Sequence, residues 1–420
     1  MLIEFRVTNF RSIKETQTFS MVAGSGTEHL QTNTFNPELP GFDRLVRSAV
    51  IYGANAAGKT NLLLALQFVQ NLVVNSATAT QQGMPIPHAP FKFASATRES
   101  PSEFEVTFAQ EGVRYEYGLV ISATEVRNEW LIAYPRGRPQ RLIERTYDKR
   151  SETYKWSFSS YLKGNRSVWR DATRANALFL STAVQLNSAQ LLPVYEWFQK
   201  RLVVIVGSIQ LNPILTLNLL DQPDGKEKVL PLLRAADLGI SDLEINREPL
   251  IPGVPIVGSP IIENTQKSGL PNVVRFTAFH PTSSSEERVG LDLSEESSGT
   301  QVLFRSAGAW LNVLTNGEVL LFDEIDTSLH PLLTRFLVGL FHSESTNRKN
   351  AQLIFTTHDT SLLDADLFRR DQIWFVEKTP EGSSHLYPLS DFSPRKEEAI
   401  ERGYLKGRYG ALPIVGDMRG

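Results

Sequence analysis

The chain has 420 residues, of which 41% are hydrophobic and 21% charged, a composition typical of a soluble globular protein with one or two domains. Its 43 Lys and Arg residues against 46 Asp and Glu residues give a formal charge of -3, so any nucleic-acid contact must come from a local patch. The absence of cysteine excludes disulfides, thiolate zinc sites and thiol nucleophiles.

The start of the chain does not resemble a secretory signal, because Glu4 and Arg6 interrupt its apolar run. No stretch approaches the roughly 18 uncharged apolar residues that a membrane span requires. These features predict a cytoplasmic protein without a membrane partner.

The first third of the chain predicts strands around one loop-to-helix transition. Alternating apolar residues predict a first strand near residues 2–7 and a second over residues 14–22, paired to it. The apolar run at residues 48–52 ends in glycine and precedes a helical pattern over residues 61–74. Period-two alternation between residues 91 and 145 predicts hairpins.

The remainder divides into a helical middle and an alternating C-terminal part. Residues 167–238 predict mainly helices, with prolines that disfavour a long coiled coil, and residues 248–260 predict a loop. From residue 274, short apolar strands alternate with helices, which predicts a largely parallel, doubly wound sheet. The expected helices are residues 301–314 and 331–341, and the expected strands are residues 318–322, 352–356 and 373–377.

A glycine-rich loop follows the apolar strand and opens a helix, which is the context of a phosphate-binding loop. Lys59 would reach the β- and γ-phosphates, Thr60 would hold Mg²⁺, and the helix N-terminus would add partial positive charge. A chance glycine-rich turn is the alternative, and it is disfavoured by the position between strand and helix. The loop consists of Gly53, Ala54, Asn55, Ala56, Ala57, Gly58, Lys59 and Thr60.

The apolar strand near residue 320 ends in two carboxylates, Asp323 and Glu324. Asp323 would bind the Mg²⁺ shell, and Glu324 would orient and deprotonate the attacking water. A strand followed by an acidic helix cap gives the same residues, so the pair alone leaves both interpretations open. Together with the phosphate loop it predicts a nucleotide hydrolase.

Two further motifs have residues that suit anion binding. His358 follows another apolar strand and would lie at the sheet edge where open α/β sheets bind ligands, which suits a γ-phosphate sensor. Residues 297–301 precede a predicted helix, and hydroxyls and free amides at a helix start suit an anion. The plainer alternatives are a turn histidine and an ordinary helix cap.

With these four motifs in order, the sequence resembles the ABC-type ATPases of the SMC, RecF and RecN group. It is most similar to RloA-like and PtuA-like ATPases of bacterial anti-phage and abortive-infection systems. The resemblance covers most of the chain except roughly residues 153–272. It rests on Asn9-Phe10-Arg11-Ser12, the phosphate loop, Ser298-Gly299-Thr300-Gln301, residues 323–326 with 328–331, residues 356–359 and residues 407–410.

The resemblance implies an α/β P-loop NTPase of the ABC/SMC head type, with a mixed sheet, an antiparallel β subdomain and a mainly helical insertion. Residues 1–152 would form the N-terminal lobe with the phosphate loop and the β subdomain. Residues 153–272 would be the insertion. Residues 273–420 would form the C-terminal lobe with the signature, the acidic strand, the switch histidine and the tail.

In proteins of this type, the signature of one subunit closes over ATP held by the phosphate loop of the other. The resemblance therefore implies a homodimer around two ATP-Mg²⁺, which can assemble further. Ser298 and Gly299 would act in trans, His358 would be the switch histidine, and Arg11 and Asn61 would join the nucleotide-binding set. The signature departs from Leu-Ser-Gly-Gly-Gln in its first and fourth residues, and no glutamine is assigned to a Q-loop.

The implied function is a slow ATPase switch that controls a nucleic acid or an effector, such as a nuclease or toxin subunit, in anti-phage defence. A RecF- or SMC-like DNA-repair ATPase that clamps DNA is the alternative, since it shares every ATPase residue named. A fused metal-dependent nuclease domain is not expected, because too little chain follows His358. A transporter subunit is disfavoured by the split head.

A basic run near residue 140 gives the sequence one candidate for phosphate contacts outside the nucleotide site. Glu144 and Asp148 interleave with it, which favours a solvated hairpin face. The run consists of Arg136, Arg138, Arg141, Arg145, Lys149 and Arg150.

Overall fold

The computed structural model describes residues 1–207, 213–235, 239–251, 261–263, 271–282, 287–392 and 399–412. The chain divides into two compact units, of which the first comprises Met1–Val206, Asn316–Ile325 and Val338–Gly420. The second comprises Gly207–Thr315 and Asp326–Leu337, so residues 153–206 of the predicted insertion belong with the first unit. Within the described ranges, no helix has the length and apolarity needed to cross a membrane.

The strands are numbered in chain order. They are β1 Leu2–Thr8, β2 Gln17–Ser20, β3 Thr34–Phe35, β4 Leu45–Val46, β5 Ser48–Gly53, β6 Ser102–Gln110, β7 Val113–Ile121, β8 Val126–Tyr134, β9 Gln140–Asp148, β10 Thr153–Phe158, β11 Leu202–Ile205, β12 Asp242–Pro249, β13 Ile261–Glu263, β14 Asn272–Pro281, β15 Arg288–Asp292, β16 Val319–Phe322, β17 Gln352–Thr356, β18 Ile373–Lys378 and β19 Ser384–Pro388.

The α-helices are numbered in the same way, and a π-helical turn at Trp197–Arg201 follows the sixth of them. They are α1 Leu30–Asn33, α2 Lys59–Asn75, α3 Ser95–Arg98, α4 Arg166–Ala172, α5 Phe179–Gln185, α6 Leu192–Glu196, α7 Ile214–Leu220, α8 Gly225–Ala235, α9 Ser298–Asn316, α10 Pro331–His342 and α11 Ile400–Leu405.

A six-stranded sheet in the first unit has the order β11-β16-β17-β5-β18-β19. Its neighbouring strands are parallel except for the last pair, β18 and β19. The residues of β5, β16 and β17 are all buried, as expected for strands covered on both faces. This arrangement confirms the predicted doubly wound sheet, and the loops after β5, β16 and β17 meet at its carboxyl edge.

The edge strand β11 was not predicted. Residues 202–205 lie in the stretch interpreted as mainly helical, but they pair in parallel with β16, with Leu202 opposite Val319. A four-residue apolar run cannot be assigned to strand or helix from its periodicity alone. The helical prediction is therefore wrong for this segment.

A seven-stranded antiparallel sheet has the order β10-β9-β8-β7-β6-β1-β2 and confirms the predicted hairpins. Helix α2 packs on it, with the ring of Phe68 5.5 Å from that of Phe10 and 5.2 Å from that of Phe104. Gly118 faces Trp130 across the β7–β8 pair, where a Cβ would lie 1.9 Å from the indole ring. Only glycine leaves room for that ring.

Arg145, one member of the basic run, is fully buried beside Glu129 and lies 3.7 Å from its carboxylate. Arg145 donates to the Ala177 carbonyl at 2.8 Å, and Glu129 accepts from the Tyr117 hydroxyl at 2.9 Å. Burial raises the pKa of Glu129, and the Arg145 charge opposes that shift. The expectation of a solvated face is therefore wrong for Arg145, whose guanidinium serves the interior packing.

The second unit contains an antiparallel sheet in which β14 pairs with β12, β13 and β15. Helix α9 packs on it through Phe304, whose ring centroid is 4.6 Å from that of Phe276. Helix α7 crosses α9 at Gly308, whose backbone N–H donates to the Thr216 hydroxyl at 2.8 Å. A Cβ on Gly308 would lie 2.2 Å from the α7 backbone, so the crossing requires glycine.

Candidate functional site

The phosphate loop links β5 to α2 in a tight path that two glycines permit. A Cβ at Gly53 would lie 2.4 Å from the Val376 carbonyl oxygen. Gly58 caps α2 with φ 111°, and a Cβ there would lie 2.1 Å from the Ser384 hydroxyl. Both positions therefore need glycine for close packing, in addition to any ligand approach.

Lys59 lies inside this loop and is only 6% exposed. Its ammonium donates to the Gly53 carbonyl at 2.9 Å and to the Ala54 carbonyl at 3.3 Å. Because these acceptors are backbone carbonyls of the loop itself, the positive charge of Lys59 lies inside the loop.

The acidic pair is fixed by contacts from helix α2 and from the neighbouring strand β17. Asp323 Oδ1 accepts from the Thr60 hydroxyl at 3.1 Å and from the Thr356 hydroxyl at 2.7 Å. The Thr356 oxygen in turn accepts from the Glu324 backbone N–H at 2.7 Å. Glu324 has φ 51°, an uncommon backbone conformation for a residue with a side chain. Thr356 thus joins both carboxylate residues in one hydrogen-bonded chain.

A cavity of about 500 Å³ brings most of the predicted residues together. Ser12 and Lys378 also line it, and neither was predicted to do so. The signals were available, because Ser12 ends the Asn-Phe-Arg-Ser motif and Lys378 ends a strand beside β5. The full lining is Ser12, Asn55, Ala56, Gly58, Lys59, Thr60, Asn61, Glu324, His358 and Lys378.

Ser12 belongs to a hydrogen-bonded group that braces the loop. Its hydroxyl accepts from the Asn61 side-chain amide at 2.7 Å and lies 2.7 Å from the buried Ser384 hydroxyl. Ser384 donates to the carbonyl of Ala57, which is itself buried. The N-terminal turn and β19 are therefore tied to the phosphate loop through Ser12 and Ser384.

Arg11 is exposed, and its guanidinium carbon lies 5.8 Å from the Phe10 ring centroid. Its backbone has φ 50°, and its N–H donates to the Ala89 carbonyl at 2.7 Å. The adjacent Ser12 lines the cavity, whereas Arg11 is not among its lining residues. Nucleotide contact by Arg11 therefore stays a prediction.

His358 lies exposed in the cavity wall, two residues after the end of β17. The next residue, Asp359, is anchored because its carbonyl accepts from the Tyr52 hydroxyl at 3.0 Å. The Asp359 carboxylate also accepts from the Ser361 backbone N–H at 3.0 Å. The loop that carries the histidine is thereby attached to β5, the strand that leads into the phosphate loop.

The signature residues Ser298 and Gly299 begin α9 in the second unit, where Ser298 is exposed. The Ser297 hydroxyl accepts from the Thr300 backbone N–H at 3.2 Å, so this segment does cap its helix. A Cβ at Gly299 would lie 2.8 Å from the Ser328 carbonyl oxygen. Close packing against Ser328 thus explains why glycine stands at position 299. Action of Ser298 and Gly299 in trans stays a prediction.

The chemistry of two side chains beside the cavity suits a divalent cation that is also held by phosphates. No three His, Asp or Glu side chains cluster to hold a metal in the part of the chain that the structure describes. The Thr60 hydroxyl and the Asp323 carboxylate oxygen lie 3.1 Å apart and would be the protein ligands of such a cation. Mg²⁺ in nucleotide sites uses one or two such protein ligands and completes its shell with phosphates and water.

A family model described as "AAA domain, putative AbiEii toxin, Type IV TA system" matches residues 48–364. Among solved structures, an SmcHead bound to the C-winged helix domain of ScpA is similar, with 13% identity and a TM-score of 0.43 over 94% of this chain and 99% of that one. An Smc head domain with an extended coiled coil bound to the C-terminal domain of ScpA, derived from Pyrococcus furiosus, has 12% identity and a TM-score of 0.41 over 93% and 97%. A search of curated proteins gave no match.

Proposed function

This chain belongs to the family of AAA domains described as putative AbiEii toxin, type IV TA system, and from that premise we propose that it is an ATP-binding and ATP-hydrolysing switch. One observation carries the proposal. Lys59, Thr60, Glu324 and His358 line a single cavity of about 500 Å³. These side chains match the groups that nucleotide hydrolysis uses: a cation that binds phosphate, a hydroxyl that binds the metal, a base, and an imidazole that contacts the γ-phosphate.

Binding would centre on the phosphate loop. The Lys59 ammonium would transfer its hydrogen bonds from the Gly53 and Ala54 carbonyls to β- and γ-phosphate oxygens. The start of α2 adds its partial positive charge at the same place. Thr60 and Asp323 would hold Mg²⁺, which when bound neutralises negative charge on the phosphates.

Hydrolysis would use Glu324 as the base. Its carboxylate would orient a water and accept its proton while the water oxygen bonds to the γ-phosphorus and the bond to the ADP oxygen breaks. The backbone of Glu324 is held by the Thr356 hydroxyl at 2.7 Å, which limits the movement of the base. His358, across the cavity, would contact the departing γ-phosphate.

We also propose that two copies close head to head around two ATP molecules, with Ser298 and Gly299 completing the partner's site. The exposure of Ser298 at the start of a 19-residue helix supports this, because helix N-termini bind anions. The partner of this switch would be an effector such as a nuclease or toxin subunit in anti-phage defence. The family description, which names a toxin and a toxin-antitoxin system, supports an effector over a DNA clamp.

The test is Glu324→Gln, which removes the base and keeps the shape of the side chain. We expect hydrolysis to stop and an ATP-dependent dimer to accumulate, measured by phosphate release and by light scattering with and without ATP and Mg²⁺. Glu99→Gln, at an exposed carboxylate outside the cavity, is the matched control and should behave like the unaltered chain.

Normal hydrolysis by Glu324→Gln would refute the assignment of the base. Assembly that ignores nucleotide would refute the head-to-head switch while leaving hydrolysis intact. A trapped dimer that binds duplex DNA tightly, and no protein partner, would favour the DNA-clamp alternative.

A further inference from the structure

The segment 399–412, here called the C-terminal strap, packs closely on the six-stranded sheet. It contains α11 and the Gly-Arg-Tyr-Gly motif. Tyr404 is 5% exposed and Tyr409 is fully buried. Both rings stack on Phe375 of β18, with centroids 5.4 and 5.9 Å away and interplanar angles of 15° and 19°. Two buried tyrosines on one phenylalanine anchor the strap to the strand beside β5.

The glycines of the strap are explained by this packing. A Cβ at Gly403 would lie 2.8 Å from the Tyr409 hydroxyl. Gly410 has φ 70°, and a Cβ there would lie 2.6 Å from the Tyr387 hydroxyl. That same hydroxyl donates to the Tyr409 carbonyl at 2.9 Å. The motif therefore specifies a docked conformation and does not merely end a helix.

The strap also reaches the loop that carries His358, residues 357–362. The Thr360 hydroxyl donates to the Glu401 carboxylate of α11 at 3.0 Å. The Tyr404 ring lies 5.9 Å from that of Tyr52, whose hydroxyl holds the Asp359 carbonyl at 3.0 Å. The His358 loop is thus held from one side by β5 and from the other by the strap.

A second cavity, of about 300 Å³, lies between these parts. It shares Asn55 and His358 with the nucleotide cavity, and Tyr404, Leu405 and Leu412 of the strap form part of its wall. A shift of the strap would therefore change the space behind the histidine. The strap supplies none of the residues that line the nucleotide cavity, although Gly53, Ala54 and Asn55 of the phosphate loop share the wall of the second cavity with it.

We propose that the C-terminal strap is a positioning element for the His358 loop, with Tyr404 and Glu401 as its positioning residues. The strap fixes the histidine at the wall of the nucleotide cavity and contributes no side chain to that cavity itself. Its effect on turnover rests on the proposed ATPase function, whereas its effect on the loop does not. Release of the strap consequently lowers the rate of hydrolysis more than the affinity for ATP.

Hydrogen-deuterium exchange of the full chain tests the effect on the loop without any need for hydrolysis. In Tyr404→Ala we expect the amides of residues 357–362 to exchange roughly three to ten times faster, the factor that corresponds to the loss of the Tyr404–Tyr52 contact, which supports this loop. Glu401→Ala, at an exposed residue, should give a smaller change at the same amides and retain the melting temperature. Lys406→Ala, exposed on the same segment, should leave them unchanged.

Unchanged exchange at residues 357–362 in both Tyr404→Ala and Glu401→Ala would overturn the proposal. Faster exchange spread evenly over the whole sheet would also overturn it, because that result describes general destabilisation. If Tyr404→Ala unfolds, the result for Glu401→Ala decides.

Kinetics in two backgrounds separate positioning from a structural role. We expect Tyr404→Ala to lower kcat with little change in the Kd of an ATP analogue, and to have no further effect on kcat once His358→Ala is present. An equal loss of kcat in both backgrounds would overturn the link to the histidine. An inactive unaltered chain would instead refute the proposed ATPase function, and the exchange result would still decide on the strap.

Discussion

The Thr356 hydroxyl is the residue-scale feature that does most to define the site. It donates a hydrogen bond to the Asp323 carboxylate at 2.7 Å and accepts one from the backbone N–H of Glu324 at the same distance. A hydroxyl can do both because it is at once a donor and an acceptor. The residues proposed as metal ligand and base are therefore both held by one buried side chain, that of Thr356.

Thr356→Val keeps the volume of this side chain and removes both hydrogen bonds. We expect kcat for ATP hydrolysis to fall roughly tenfold to a hundredfold, since two hydrogen bonds worth about 0.5 to 1.5 kcal/mol each are lost. The Mg²⁺ concentration for half-maximal rate should rise, because Asp323 loses a donor that orients it. Steady-state phosphate release at varied Mg²⁺ measures both.

Thr356→Ser, which restores the hydroxyl and loses only a methyl group, should recover most of the rate. Equal rates for Thr356→Val and the unaltered chain would show that the acidic pair positions itself. A loss that serine does not rescue would point to packing at β17 as the cause.

At the scale of elements, the sequence predicted best where a strand, a motif and a helix follow each other closely. Strands β5, β16 and β17 are short buried runs that end in glycine or in polar motif residues. Their positions, and the sheet edge at which they all end, could therefore be predicted from the sequence. Strand β11 was missed because Leu202–Ile205 has no motif and pairs with a strand more than 100 residues later. Ser384 was missed for the same reason, since only the fold brings it to Ser12.

Helix α10 ends in His342, which meets the start of β5 inside the sheet core. The Ser48 hydroxyl accepts from the Gln372 side-chain amide at 2.9 Å and lies 2.7 Å from His342 Nε2. The Ser48 proton is therefore available to the ring nitrogen, which suits a neutral imidazole. Burial, with the charges of His29 and Arg47, lowers the pKa of His342 to about 3.

This lowered pKa predicts a pH-dependent stability. The unfolded chain protonates His342 below its ordinary pKa of about 6.5, whereas the folded chain does so only near 3. Stability from the neutral ring is thus fully present above pH 6.5 and is lost as the pH falls toward 3. At pH 5 the loss is about 2 kcal/mol.

His342→Gln removes the titration, so its free energy of unfolding should approach that of the unaltered chain on acidification. Urea denaturation at pH 7.5, 6 and 5 measures the difference at each pH. A difference that stays constant from pH 7.5 to 5 would mean that His342 is not buried in the neutral form.

At the scale of the whole molecule, the two halves of the proposed composite site belong to different compact units. The phosphate loop, Glu324 and His358 lie in the first unit, and Ser298 and Gly299 lie in the second. Each half is preformed in its own unit, as the cavity and the capped start of α9 indicate. Completion of the site by a second copy stays a prediction from the resemblance that the motifs carry, and its geometry could not be predicted, since no motif encodes how two copies meet.

Mixing two inactive variants tests whether the site is shared between copies. Lys59→Ala disables the phosphate loop and Ser298→Arg blocks the signature, so each should be inactive alone. In mixed dimers one site keeps an intact loop and an intact signature. We therefore expect roughly one quarter of normal ATPase activity for an equal mixture of the two variants.

A mixture of Lys59→Ala with Glu324→Gln is the control, because both residues belong to the same half of the site and no mixed dimer restores it. Recovery in that control, or none in the first mixture, would contradict a site built from two copies.

Two hydrogen bonds join early residues to residues far along the chain. The Leu2 backbone N–H donates to the Gln352 side chain at 2.7 Å, and the Thr60 hydroxyl donates to Asp323, 263 positions later. A ribosome that adds about 5 to 20 residues per second needs roughly 15 to 50 seconds to pass from one member of the second pair to the other. During that interval the nascent chain has a phosphate loop but no acidic strand beside it. Prematurely terminated chains that lack β16 should therefore not hydrolyse ATP, because the proposed metal ligand and base follow that strand.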